Sequence, residues 1–351
     1  MKTIFFATLA FTSLSATILT AAIPVIAPTP VHSIDALSIA APATGDAFVG
    51  AAAYDETNDK LYFVAFNTKR VGVITNPSNS ASTASIFAHT SSTDPVTPGP
   101  VVWGGSRGLQ NVKVNQANGN VLVSGDQGTN GAILLYDTAG ALVDSVFDTT
   151  QVGAANRRTA GADFFGTGFV FVETVSKKVV ATNASLDLVD ESAALTADFL
   201  RSVAVIGDNV YLGAAGASNP EEILLYSGGT AGSVAGYSLS ATPFFSYPVA
   251  VGSAVRWSVT PWDFEGTSYL LITDASNGVI SVIDELTGTV TTQLTINAGV
   301  GGVVAGGVVG AKIAGQNYLF VTQNAGSTAA EVAAYTVSVD SATSDWNLYS
   351  F

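Results

Sequence analysis

Ser106 stands in Gly104-Gly105-Ser106-Arg107-Gly108, the spacing of a nucleophile elbow, where a tight turn between strand and helix exposes a serine hydroxyl. Such a serine needs a histidine base later in the chain, and the two histidines, His32 and His89, both precede it. The residues after the motif read as a strand, so the segment is a glycine-rich loop without a catalytic role. Cysteine is absent, which removes thiol catalysis, cysteine-ligated zinc and disulfides. The Gly/Val run from Gly301 to Gly310 lacks the Lys-Ser/Thr pair of a phosphate loop, so nucleotide hydrolysis is unsupported.

Two chemistries remain. A hard divalent cation takes six or more oxygen ligands, and Asp126, Asp163, Glu173, Asp263 and Asp274 are the carboxylates that could converge on one. Most of them sit in ordinary turn positions, where an aspartate bonds nearby backbone amides, so no metal or other cofactor is assigned. Arginine is more informative. Of six arginines, Arg107, Arg158, Arg201 and Arg256 each stand at the approach to an apolar β-rich segment, and Trp103, Trp257 and Trp262 lie in or beside those segments. Planar guanidinium forks suit carboxylate or phosphate, and neighbouring indoles suit an apolar body. The competing reading pairs these arginines with acids of adjacent units, Asp163, Asp198 and Asp263 among them, and makes the tryptophans core.

The elements that would position these side chains come from a repeat. Leu61–Val64, Val121–Val123, Phe169–Val172, Val210–Leu212, Tyr269–Ile272 and Tyr318–Val321 are six apolar β-rich cores. Each is preceded by a short apolar strand and followed by a turn and another strand, as in Val279–Ile283 after Asp274–Gly278. The cores recur every ~40 to ~60 residues, the spacing of a four-stranded propeller blade, and no segment holds a helical period. The expected fold is an all-β, six-bladed β-propeller, one domain over residues 23–351, closed by pairing of Ser33–Ala41 into the last sheet beside Glu331–Val339 and Trp346–Phe351. In a propeller the first strand of each blade lines the central channel, so the four arginines would ring one mouth and concentrate positive potential there.

Composition bounds the partners. Acids outnumber bases 27 to 13, a net charge of -14, which repels a phosphate backbone and disfavours nucleic acid. Lys2, the apolar run from Ile4 to Thr20, and Thr20-Ala21-Ala22 read as a signal peptide over residues 1–22, so the chain is expected to be secreted, with no transmembrane anchor. Asn183-Ala184-Ser185 is the only N-glycosylation sequon, with Asn183 as acceptor.

The run Ala53-Tyr54-Asp55-Glu56-Thr57-Asn58-Asp59-Lys60-Leu61-Tyr62-Phe63, the Arg158-Thr159-Ala160-Gly161 approach, and the ending Asn347-Leu348-Tyr349-Ser350-Phe351 resemble the Malassezia major-allergen propeller family and the related secreted trichothecene-cluster propellers of fungi. The resemblance implies a secreted six-bladed propeller with no settled enzymatic activity, and it carries over no catalytic residue.

The function expected from the sequence is a secreted, non-enzymatic, monomeric binding propeller that takes an anionic small molecule or a lipid headgroup at Arg107, Arg158, Arg201 and Arg256 with Trp103, Trp257 and Trp262. The alternatives are a metal-dependent lactonase-like hydrolase on the same fold, and a cell-wall or surface module that binds a host or cell-wall protein.

Overall fold

The computed structural model describes residues 22–40, 48–103, 108–126, 131–146, 159–174, 176–196, 199–215, 222–246, 259–274, 278–296, 304–325 and 329–340. Two short strands come first, β1 (Pro24–Ile26) and β2 (His32–Asp35), followed by one helical turn, α1 (Leu37–Ala40). Blade 1 is β3 (Val49–Asp55), β4 (Lys60–Ala65), β5 (Arg70–Thr75) and β6 (Ala84–His89). Blade 2 is β7 (Gly108–Val114), β8 (Val121–Asp126), β9 (Gly131–Tyr136) and β10 (Leu142–Val146). Blade 3 is β11 (Thr159–Phe165), β12 (Gly168–Glu173), β13 (Val179–Thr182) and β14 (Leu188–Glu191). Blade 4 is β15 (Phe199–Ile206), β16 (Asn209–Ala215) and β17 (Glu222–Ser227), with an outer strand broken into β18 (Ser238–Leu239) and β19 (Phe245–Ser246). Blade 5 is β20 (Val259–Phe264), β21 (Thr267–Asp274), β22 (Val279–Asp284) and β23 (Val290–Thr295). Blade 6 is β24 (Val304–Ile313), β25 (Gln316–Ala325) and β26 (Ala329–Val339).

Every sheet is antiparallel, and the inner strands neighbour one another in the ring order β3, β7, β11, β15, β20, β24 and back to β3. The chain is a six-bladed β-propeller. Closure uses both ends of the described chain. Ser33 pairs with Ala333 and Asp35 with Glu331, while Pro24 to Ile26 pair with Val339 to Val337, so β1 and β2 together supply the missing outer strand of blade 6. This matches the expected pairing of Ser33 onward with the last sheet, except that Leu37–Ala40 forms a helical turn instead of a strand. Residues 41 and 346–351 of that expectation lie outside the described residues.

Burial follows the blade geometry. The second strand of each blade is covered on both faces, which is why Leu61–Val64 or Leu270–Ile272 reads as an unbroken apolar run instead of an alternating one. Six apolar clusters fill the spaces between neighbouring blades, one per space. The cluster between blades 6 and 1 takes in Ile34, so the closing strand is part of the core.

The inner strands converge tightly. Five of the six carry a register shift near their start, at Val49/Ala52, Leu109/Asn111, Thr159/Ala162, Leu200/Ser202 and Ala305/Val308. Such bulges bend the strand and re-aim its side chains. At Gly307, within β24, a Cβ would stand 2.6 Å from the Cα of Ala51 in the next blade, a distance no side chain tolerates, which accounts for the glycine at that position. No helix among the described residues is long and apolar enough to cross a membrane.

Candidate functional site on the propeller axis

The inner strands all run in the same sense along the axis, so the channel has a strand-start mouth and a strand-exit mouth. The later residues of the inner strands enclose a cavity of about 310 Å³ toward the exit mouth. Period-two alternation decides what faces it. In β7 the run Val112-Lys113-Val114 points Lys113 to the axis, and in β11 the run Ala162-Asp163-Phe164 does the same for Asp163.

Lys113 and Asp163 are paired in the cavity floor. Lys113 Nζ lies 3.4 Å from Asp163 Oδ2, with the side chains only 10% and 11% exposed. The same Nζ donates to the carbonyl oxygen of Val259 at 3.1 Å. Val259 belongs to blade 5, which faces blade 2 across the ring, so the Lys113 side chain reaches over the axis. Asp163 also accepts the backbone N–H of Phe164 at 2.8 Å through Oδ1 and that of Val205 at 3.1 Å through Oδ2. Burial pushes the Asp163 carboxyl up, against the opposing pull of Lys113 and the two backbone donors. A buried carboxyl shifted this way beside a lysine in a cavity is the arrangement that functional sites favour.

The walls are mixed. Trp262 packs on the backbone of Gly310, where a Cβ would meet the indole at 2.2 Å, and against the rings of Phe264 and Tyr269. At the rim, Gln116 donates to the Tyr54 carbonyl at 2.6 Å and accepts the Glu56 N–H at 3.1 Å, which ties blade 2 to blade 1. Lys312 reaches the Glu265 carboxylate at 2.8 and 2.9 Å. Lys312 and Asn317 hold that carboxyl below its ordinary value.

The residues singled out in the sequence are distributed as follows. Arg107, Arg158, Arg256 and Trp257 lie outside the described residues. Arg201 is half-buried in β15 at the bulge between Leu200 and Ser202, near the strand-start mouth. Trp103 is half-buried just before β7 and donates through Nε1 to Thr90 Oγ1 at 3.2 Å. Trp262 is a later residue of β20, buried in the wall of the exit-side cavity. Asn183 is exposed in the β13–β14 turn, where its Oδ1 accepts the N–H groups of Ser185 and Asp187 and its Nδ2 donates to Asp187.

The five candidate metal ligands do not meet. Asp163 is bound to Lys113, and Asp263 accepts the Gly266 N–H at 2.9 Å in the β20–β21 turn. Asp126, Glu173 and Asp274 are buried at the ends of the second strands of three different blades. Among the described residues no group of three or more His, Asp and Glu side chains is placed to hold a metal ion.

Arg70, one of the two arginines outside the set of Arg107, Arg158, Arg201 and Arg256, belongs to a separate buried cluster. Its Nε donates to Asp94 Oδ2 at 2.8 Å and its NH2 to Oδ1 at 3.3 Å. His89 Nδ1 stands 3.1 Å from the same Oδ2, at ion-pair distance but off the direction of a hydrogen bond. Asp94 further accepts the N–H groups of Val96 and Thr97, so it organises the start of the loop that follows blade 1.

No family model and no curated protein matches the chain. Solved structures do. A gluconolactonase from Xanthomonas campestris aligns with a TM-score of 0.57 at 11% identity, over 91% of this chain and 98% of that one. A luciferin-regenerating enzyme aligns at 0.52 and 13%, over 88% and 95% of the two chains. A streptogramin B lyase aligns at 0.50 and 9%, over 86% and 96%. The shared feature is the ring of blades. At such identities these likenesses speak to fold alone.

Proposed function

We propose that the protein is a secreted, non-enzymatic binding propeller that takes an anionic small molecule or lipid headgroup at the strand-start mouth of its axis. The observation that carries this reading is positional. The inner strands β7, β11, β15 and β20 start at residues 108, 159, 199 and 259, and in the sequence Arg107, Arg158, Arg201 and Arg256 each stand within three positions of one of these starts. Four guanidiniums gathered at that mouth, on a chain with a net charge of -14, would make a local site for carboxylate or phosphate. Trp103, beside the start of β7, offers an apolar contact for the body of such a ligand. Secretion behind the signal peptide and kinship with the Malassezia allergen propellers belong to the same proposal.

The test uses decanoate as probe, a carboxylate on an apolar body. Saturable binding to the wild type that weakens at least about ten-fold in Arg158→Ala/Arg201→Ala, with the thermal midpoint unchanged, supports the reading. Equal binding by both proteins, or a large loss of stability with the double substitution, marks these arginines as structural ion pairs.

The second reading is a metal-dependent lactonase-like hydrolase. It is favoured by the gluconolactonase among the structures with this fold; the acids it would draw on, Asp126, Glu173 and Asp274, are buried at the ends of second strands in blades 2, 3 and 5 and are not gathered into a metal-binding group. Stoichiometric calcium or zinc in the purified protein, with loss of stability on chelation, would favour it.

A further inference from the structure

The exit-side cavity is a site separate from the arginine mouth, and its polar floor has an unusual inventory. An ammonium has three donors, and Lys113 uses one on Val259 and one on Asp163. A carboxylate offers about four lone-pair sites, and Asp163 receives Phe164, Val205 and Lys113. Among the described residues this leaves one donor and one acceptor without a partner on two paired groups of opposite charge that both line the cavity.

Charge selects against an ion here. A carboxylate ligand placed on Lys113 would sit against Asp163, and an ammonium placed on Asp163 would sit against Lys113. The other titratable groups facing the cavity are Tyr54 and Glu56 from blade 1, Asp263 from blade 5, and Lys312, already neutralised by Glu265. The rim is thus acidic on an acidic protein, which disfavours anions further. A hydroxyl accepts and donates at once, so it satisfies both remaining positions without disturbing the pair. Trp262, Pro261, Ala53 and Val309 give the carbon skeleton an apolar wall, and a cavity of about 310 Å³ is at the small end of ligand sites.

We infer that the exit-side cavity between Lys113, Asp163 and Trp262 binds a small neutral polyhydroxyl compound through a hydroxyl seated on the Lys113–Asp163 pair. The site is independent of the arginine mouth.

Sorbitol is the probe, compared by ligand-observed NMR and calorimetry with the same carbon chain carrying a carboxylate or an ammonium at one end. The expected result is millimolar, saturable sorbitol binding, unchanged by salt from about 20 to about 300 mM because no net charge is exchanged. Both charged analogues should bind at least about ten-fold more weakly. Lys113→Met should abolish sorbitol binding. Val205→Phe, which fills the cavity while leaving both charged groups in place, should abolish it too and keeps the test decisive if Lys113→Met fails to fold. Arg201→Ala should leave it intact, which separates this site from the anion reading. Absence of sorbitol binding, tighter binding of a charged analogue, or full affinity in Val205→Phe would overturn the inference.

Discussion

Lys113 of the second blade donates to the carbonyl oxygen of Val259, 3.1 Å away on the inner strand of the fifth blade, and so joins two blades that face each other across the axis. Among the described residues the main contacts between inner strands are those of ring neighbours. This cross-axis bond, backed by Asp163, ties three blades together at the centre of the molecule.

Breaking that pair should be costly and non-additive. Lys113→Met and Asp163→Asn should each destabilise by about 3–5 kcal/mol, because either leaves its partner buried without a counter-charge. The double variant should cost less than the sum of the singles, as read from urea midpoints.

The same carboxyl predicts a pH slope. Since the folded state raises the Asp163 carboxyl above its ordinary value of 3.8, the native protein holds a proton that the unfolded chain has already released. The contribution of this site to stability therefore falls as pH rises from 3.8 through the raised folded value. In the double variant that component should vanish from the pH profile of the urea midpoint.

Asp94 should act in the opposite sense. Burial alone would raise its carboxyl, but Arg70, the Val96 and Thr97 N–H groups and His89 outweigh burial and hold it well below the usual carboxylate range. Its stabilisation is complete above the unfolded value of about 3.9 and is lost as pH falls through the lower folded value. Asp94→Asn should be less stable than wild type at neutral pH, and the gap should narrow as urea midpoints are taken below about pH 4.

Closure predicts a core defect at the chain's beginning. Ile34 is 3% exposed and pairs with Val332 in the last blade, so Ile34→Ala should cost about 2–5 kcal/mol in chemical denaturation although it lies outside the six repeats. An effect within about 0.5 kcal/mol would mean that the outer strand contributes little to the ring.

Gly310 gives a packing test. A methyl group there meets the Trp262 indole at 2.2 Å, so Gly310→Ala should destabilise by about 1–3 kcal/mol through overpacking. Trp262→Phe in the same chain should recover part of the loss.

Much of this architecture is legible in the amino-acid sequence, and the reasons are physical. Second strands such as Tyr269–Ile272 are buried on both faces and stand out as apolar runs. Outer strands are half-exposed, with Leu142 at 40% and Val143 at 56%, so their composition blends into the loops and only three strands per unit can be read directly. In blade 4 the outer strand is broken into β18 and β19. The register of arginines against the repeat is also a sequence feature. The Lys113–Val259 contact is not, because it joins residues 146 apart through ring closure. One signal pointed to it: a charged side chain between two apolar ones late in an inner strand, as in Val112-Lys113-Val114 and Ala162-Asp163-Phe164, has to find its partner on the axis.

In the proposed function the protein carries an anionic ligand without doing chemistry on it. Native mass spectrometry of the purified protein, set against its denatured mass, is the sharpest test of that reading. The expected spectrum shows a mass increment that dissociates on denaturation as an organic acid or anionic lipid and is lost in Arg158→Ala/Arg201→Ala. A metal-sized increment, or identical native and denatured masses for the wild type, would contradict it.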